Sequence, residues 1–472
     1  MPTNPSISEV VVEGLHDQFD FEIKLLPGLN VLYGKNGRGK TTLLHLLANI
    51  SELDFQRFSH LQFHRITVRT SNQDIIELVK DEVGAPPRVL LNNNATSFTG
   101  TNGTLSEAEV AGLRSALGPK SIYLPAFRSI LERTRADSGA YYRTSERRDT
   151  EYEEIMNREV QSLKEYAQTT SSMSNAYLMR QLQEEASGVA EKTLLCRQWF
   201  GRFVPVIRYP SVADVEDSLS EEWRRAALDT SGREQRMFEE TFIKIFRIIS
   251  GIEKTPAMES NENLLQSISA LLTDQDSQIG HTDSRAVFDR LLQTAGSLGS
   301  SSVPLRGIDT SLLELYRQLL EERNAERRKA FQKSGDFESS INRFLDSKTL
   351  KIGATQGRSR SRSLVAVSTA GGHSYGLSAL SSGERQILTM LYSASRARFQ
   401  SGVFLIDEPE LSLHIDWQRI ILRELQNQSP ERQLIACTHS PEVGADHVLE
   451  IQDFEPRSAP KRQESLFTDD EL

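Results

Sequence analysis

The octapeptide GKNGRGKT, Gly34 to Thr41, has the residue types and spacing of a phosphate cradle: a glycine, four variable residues, then Gly-Lys-Thr. Gly34, Gly37 and Gly39 let the backbone wrap so that its N–H groups face an anion. Lys40 has the charge and reach for the β- and γ-phosphates of a nucleotide, and the Thr41 hydroxyl suits Mg2+. Asn36 and Thr42 complete the candidate nucleotide contacts. A second group stands far downstream. VFLIDE (403–408) is four apolar residues followed by two carboxylates. In that pattern Asp407 holds Mg2+, directly or through water, and Glu408 orients and deprotonates an attacking water. CTHS (437–440) puts His439 at the end of the next apolar run. Each piece has a bland alternative: a glycine-rich turn, a buried strand that happens to end in acids, a structural histidine. Their joint occurrence in this order points to hydrolysis of ATP with Mg2+ as cofactor.

The elements around these residues suit that use. Residues 7–33 read as three strands, the last of which, LNVLY, runs straight into the cradle. TTLLHLLANI (41–50) has leucines at helical spacing, so the cradle joins a buried strand to a helix N-terminus, where anions are favoured. Residues 62–80 read as a hairpin turning at Ser71–Asn72, 92–105 as a polar loop, and 121–127 as a short strand. From about residue 130 the character changes: 145–195, 233–250 and 262–273 are helical, the first with a break at 169–175. Residues 309–333 give the longest helical pattern, about 24 residues or near 36 Å, with Leu312, Leu315, Leu319 and Leu320 on one stripe suited to a bundle core. Strands return over 349–370, FLIDEP and QLIACTHS, the last two separated by the helix IDWQRIILRELQNQ. The expected layout is an α/β head built from both ends of the chain (1–130 and 349–454), a helical insertion (131–348) and a disordered tail (455–472).

Composition narrows the classes further. Of 472 residues, 55 are Lys or Arg and 65 Asp or Glu, a net charge of −10. That balance argues against a protein coating nucleic acid over its whole surface, though it leaves room for a local basic groove. Two such clusters exist, Arg323, Arg327, Arg328, Lys329 and Lys333 on one helix, and Arg358, Arg360 and Arg362 in a loop. Each is either a solvated face or a phosphate contact. Two distant cysteines rule out a disulfide framework or CxxC metal site. No apolar run approaches the length of a membrane span and the N-terminus is not a signal peptide, so a cytoplasmic protein without membrane contact is expected.

LSSGE (380–384), leading into a helix about 20 residues before VFLIDE, resembles the LSGGQ-type signature of ATP-binding-cassette (ABC) ATPases. The resemblance implies an α/β P-loop head. Its Ser381 and Gly383 would contact the γ-phosphate held by another subunit's P-loop, so ATP is sandwiched in a homodimer or higher homo-oligomer. It makes ELSLH (410–414) a dimer-contacting segment and His439 a γ-phosphate sensor. A glutamine expected after the strand SIYLP is replaced by Arg128, which would then sense the γ-phosphate or Mg2+-bound water. The interval from Lys40 to Ser381, most of the chain, exceeds that of transporter domains and resembles the SMC, RecF and OLD branch. IDEPELSLHIDWQ and ACTHSPEV look like OLD-like ATPases of bacterial defence islands. With no segment for a C-terminal nuclease, the resemblance implies a stand-alone antiphage ATPase of the PARIS, Septu or retron type. It would hold and release a separately encoded effector, expected to be a nuclease, with nucleic acid or a phage protein as trigger. The alternative is a RecF- or SMC-like DNA-repair ATPase acting on DNA ends or gaps. Leu466 and Phe467 in the tail are candidate docking residues.

Overall fold

The computed structural model describes residues 5–82, 84–98, 104–131, 146–170, 175–250, 261–273, 307–353, 364–395 and 402–458. The chain is α/β, a P-loop ATPase fold with a large helical insertion. Five parallel strands lie side by side in the order Ile451–Asp453, Leu29–Tyr33, Leu434–Thr438, Phe404–Asp407, Ile122–Leu124. The three central ones are buried almost throughout, as their unbroken apolar runs require of strands covered on both faces. Register pairs Asp407 with Cys437, Cys437 with Leu32, and Thr438 with Tyr33. The ends of strands from opposite parts of the chain therefore open on one edge. The helix Lys40–Glu52 leaves that edge and buries Leu43, Leu44, Leu46, Leu47 and Ile50.

A seven-stranded antiparallel sheet adjoins in sequence, in the order Arg457–Ser458, Phe19–Lys24, Ile7–Leu15, Arg65–Thr70, Ile75–Val79, Arg88–Leu91, Asn94–Ala95. The expected hairpin is its Arg65–Thr70/Ile75–Val79 pair. The expected disordered tail starts too early: Arg457 and Ser458 pair with Asp20 and Phe19. Leu466 and Phe467 lie outside the described residues. A helix not anticipated from sequence spans Glu107–Leu117, opened by a reciprocal cap in which the Ser106 hydroxyl accepts from Glu109 N–H and the Glu109 carboxylate from Ser106 N–H.

Two compact units divide the chain, Met1–Ser211 with Ser382–Leu472, and Val212–Ser381. The helices Glu146–Thr170 and Asn175–Phe200 fall in the first, although composition groups them with the middle of the chain. Buried ion pairs explain this. Arg208 binds Glu52, at the end of the cradle helix, at 2.5 and 2.9 Å and Glu159 at 2.6 and 2.9 Å. Arg57 and Arg197 share Glu151 at 2.6 and 2.8 Å.

The second unit holds the helices Val212–Ile249 (38 residues) and Gly307–Asn342 (36 residues), longer than the leucine pattern predicts. At 1.5 Å per residue each spans roughly 55 Å. They run antiparallel, with Trp223 beside Phe331 and Arg233 bonded to Glu326. Each runs past the expected stretch on further buried apolar residues, Val215, Leu219 and Trp223 in the first and Phe337 and Ile341 in the second. Arg323 and Arg327 sit 3.1 and 3.6 Å from Glu234, so these two cations of the basic cluster serve the helix pair; Arg358, Arg360 and Arg362 lie outside the described residues. The leucine stripe is bundle core, since Leu320 packs with Leu264 and Ile268 of the helix Asn261–Thr273. A three-stranded sheet of Lys348–Ile352, Val365–Thr369 and Ser374–Tyr375 completes the unit. Among the described residues no helix is long and apolar enough to cross a membrane.

Candidate active site

The cradle closes on the strand edge. Gly37 and Gly39 take φ of 76° and 96°, a left-handed conformation that side chains resist. At Gly34 a Cβ would approach the Phe454 carbonyl to 2.8 Å, so bare backbone is required there. Residues 35–38, Asn36 included, are exposed, and Thr42 is half-buried. The Lys40 ammonium turns into the loop, 2.5 Å from Gly34 O and 3.7 Å from Glu408 Oε1.

Thr41 donates to Asp407 Oδ2 at 2.8 Å across a separation of 366 residues. Asp407 is 1% exposed and its second oxygen, Oδ1, is buried without a hydrogen-bond partner. Burial pushes this carboxyl up to about 6 despite the Thr41 bond and the nearby Arg128 and Lys40 charges. A buried carboxylate oxygen with an unused lone pair, beside a hydroxyl, is an all-oxygen donor set that fits Mg2+.

Glu408 has φ of 49°, a strained conformation for a residue with a side chain. The turn aims its carboxyl between Lys40 and His439 Nδ1, which it contacts closely. Burial and the adjacent Glu410 carboxylate push Glu408 up to about 7, against the pull of His439. A carboxyl poised near neutrality is suited to accept a proton from water. His439 stays half-exposed, its ring reachable from the edge.

Arg128 does not stand where the sequence reading puts it. It is fully buried, and its guanidinium donates to backbone carbonyls: Asp407 O at 2.9 Å, Glu408 O at 2.9 Å, Pro409 O at 3.0 Å and Pro125 O at 3.3 Å. An arginine spent on four carbonyls braces the strand end that carries the two acids. It is not presented to a phosphate.

Ser381 and Gly383 open a different element, the helix Ser382–Ser395. Ser381 is exposed, and a Cβ at Gly383 would meet Ser412 O at 2.8 Å and the Trp417 ring at 3.2 Å. The side chains that meet at the strand edge are those of Lys40, Thr41, Asp407, Glu408 and His439. The sequence reading puts Glu410 at the head of the dimer-contacting segment ELSLH and missed its inward role: it is buried and lies 3.2 Å from His439 Nδ1. Its signal was faint: a third acid two residues after the pair, separated from it by a proline.

Parallel strands in this order, a glycine cradle leading into a helix, and a carboxylate pair at the facing strand end define a P-loop ATPase. More narrowly, the chain belongs to the family described as "AAA domain, putative AbiEii toxin, Type IV TA system", whose profile matches residues 207–446. That stretch contains the signature, the acid pair and His439, and leaves the cradle outside. A curated relative, the "Retron Vc95 probable ATPase" of Vibrio cholerae serotype O1 biovar El Tor, is 50% identical over 42 residues. These are 9% of this chain and 8% of the relative's length. Similar solved structures are the Smc head domains of Pyrococcus furiosus (11% identity, TM-score 0.39, 96% of each chain) and Pyrococcus yayanosii (14%, TM-score 0.40, 96% of this chain and 97% of that). The recombination mediator RecF is a further one (12%, TM-score 0.31, 93% and 94%). At these scores the fold assignment rests on the strand order given above.

Proposed function

We propose that this chain binds and hydrolyses ATP between two copies of itself and uses the cycle to hold and release a separate effector in antiphage defence. The observation that carries the hydrolytic part is the meeting of Lys40, Thr41, Asp407, Glu408 and His439 on one strand edge, from positions hundreds of residues apart. Gly34, Gly37, Gly39 and Lys40 hold the phosphates, with Asn36 and Thr42 beside them. Thr41 and Asp407 hold Mg2+, which when bound shields phosphate charge. Glu408 takes the proton of the attacking water, and His439 reads the terminal phosphate. Ser381 and Gly383 complete the site from the other copy, at a helix N-terminus that favours the anion.

The defence role is supported by the family description and by the short retron ATPase match. The effector is expected to be a separately encoded nuclease, and the trigger a nucleic acid or phage protein. The second reading is a DNA-repair ATPase of the RecF or SMC kind, acting on DNA ends or gaps. Mixing tests the shared site. Lys40→Ala and Ser381→Arg proteins should each be inactive, and a mixture should regain part of wild-type turnover, because a mixed dimer holds one intact composite site. No recovery at any ratio, with mixed dimers verified, contradicts the sandwich. Co-purification with the products of neighbouring genes separates the two biological readings: a nuclease that leaves on ATP turnover fits the first, and ATP-dependent retention on DNA ends or gaps fits the second.

A further inference from the structure

Glu410 occupies an unusual place beside the proposed catalytic pair. Its side chain is 5% exposed. One oxygen, Oε1, accepts three hydrogen bonds, from the Thr438 hydroxyl at 2.6 Å, His439 N–H at 3.0 Å and Ser440 N–H at 3.0 Å. The same oxygen lies 3.2 Å from His439 Nδ1. One carboxylate on the loop after the strand Phe404–Asp407 therefore grips the last residue of the neighbouring strand, Leu434–Thr438, and the two residues that follow it. Ser440 is tied a second time, its hydroxyl donating to Gln418 at 2.7 Å.

These bonds close a ring of supports. Arg128 fixes the carbonyls of residues 407–409. The next residue is Glu410, which fixes residues 438–440, and His439 returns from there to the Glu408 carboxyl. Pro409, between the two acids, leaves no N–H to compete for Glu410. An ordinary loop-to-loop brace could end anywhere; this one ends on the backbone of the phosphate-sensing candidate and starts two residues from the candidate base. Buried carboxylates with several N–H and O–H donors hold their partners rigidly, because releasing them strands a desolvated charge.

We infer that Glu410 is a positioning residue that sets His439 against Glu408, acting by accepting hydrogen bonds. The inference rests on the hydrolytic reading given above. It predicts that removing the acceptor slows the chemical step while ATP still binds, because the cradle is untouched.

The experiment measures single-turnover ATP hydrolysis and fluorescent ATP-analogue binding for the full chain and its variants, with thermal melts in parallel. Glu410→Ala should lower the rate by about 30-fold or more, short of a full general acid–base contribution because the base itself remains, with ATP affinity unchanged within about threefold. Glu410→Gln keeps an acceptor oxygen and should recover to within about fivefold of wild type. In a His439→Gln background, Glu410→Ala should cost no more than about a further twofold, since residues acting as a unit are not additive. If Glu410→Ala does not fold, Glu410→Asp, too short to span the three donors, takes its place in the cycle. A wild-type rate in these variants, a full additive loss in the His439→Gln background, or a glutamine variant as slow as alanine each overturns the inference. Absence of turnover in the wild-type protein would instead overturn the hydrolytic reading itself.

Discussion

Two charged clusters in the first unit are built on opposite terms. Around Arg208 every charge is matched: Glu52 and Glu159 each bind one edge of the guanidinium with both carboxylate oxygens, Lys120 lies 3.8 and 3.3 Å from the same two acids, and the pairs raise the Arg208 pKa against its burial. At the strand edge the charges are left wanting. Asp407 keeps an orphaned oxygen, Glu408 is strained and crowded by Glu410, and both carboxyls are pushed up toward neutrality. Asp407 is as deeply buried as Arg208, so burial alone does not separate structure from chemistry here; satisfaction does. A matched cluster stores stability, and an unmatched one stores affinity for what is absent.

The sharpest way to break this comparison is Arg208→Ala. It leaves two buried carboxylates with only Lys120 near them and should cost about 3 kcal/mol, read as a large fall in the melting temperature of the unliganded protein. A small change would mean the cluster is not structural. A second test uses His45, buried in the cradle helix against the Tyr123 hydroxyl at 2.9 Å, where burial lowers its pKa to about 3. The folded form excludes a proton that the unfolded form takes up below about 6.5, so stability is full above that pH and falls on acidification toward 3. Between pH 7 and pH 5 the loss should be on the order of 2 kcal/mol, and His45→Leu should flatten that slope in urea denaturation at a series of pH values. A third variant sharpens the contrast by sign. Glu408→Gln removes one of two crowded carboxylates and should raise the unliganded melting temperature, by roughly 1 kcal/mol after allowing for solvent screening. The smallest effect is expected for Arg233→Gln, whose bond to Glu326 is solvent-exposed: within about 0.5 kcal/mol by thermal melt.

Much of the site was legible in the sequence because it depends on local rules. A cradle needs glycines in order, and a parallel strand ending at an acid pair needs an apolar run before it; Gly34–Thr41 and 403–408 declare both. Arg128 was misread because its partners are backbone carbonyls 279 to 281 residues away, which leave no mark on side-chain spacing. The inward role of Glu410 was missed for the same reason, as two of its three donors are backbone N–H groups after the neighbouring strand. In the second unit the long helices outran the expected stretches because sparse apolar residues among many charges, such as Leu219 and Trp223 or Phe337 and Ile341, anchor the added turns. The helix Glu107–Leu117 was overlooked although Ser106 and Glu109 spell its cap, since the run behind them is short and weakly apolar.

ATP hydrolysis at the unmatched edge with Glu408 as base is tested by the turnover of Glu408→Gln. The account predicts that this variant binds ATP as tightly as wild type while turnover falls by at least a factor of about 100, roughly 2.7 kcal/mol of barrier. Turnover above about a tenth of the wild-type rate, with ATP still bound, would contradict it.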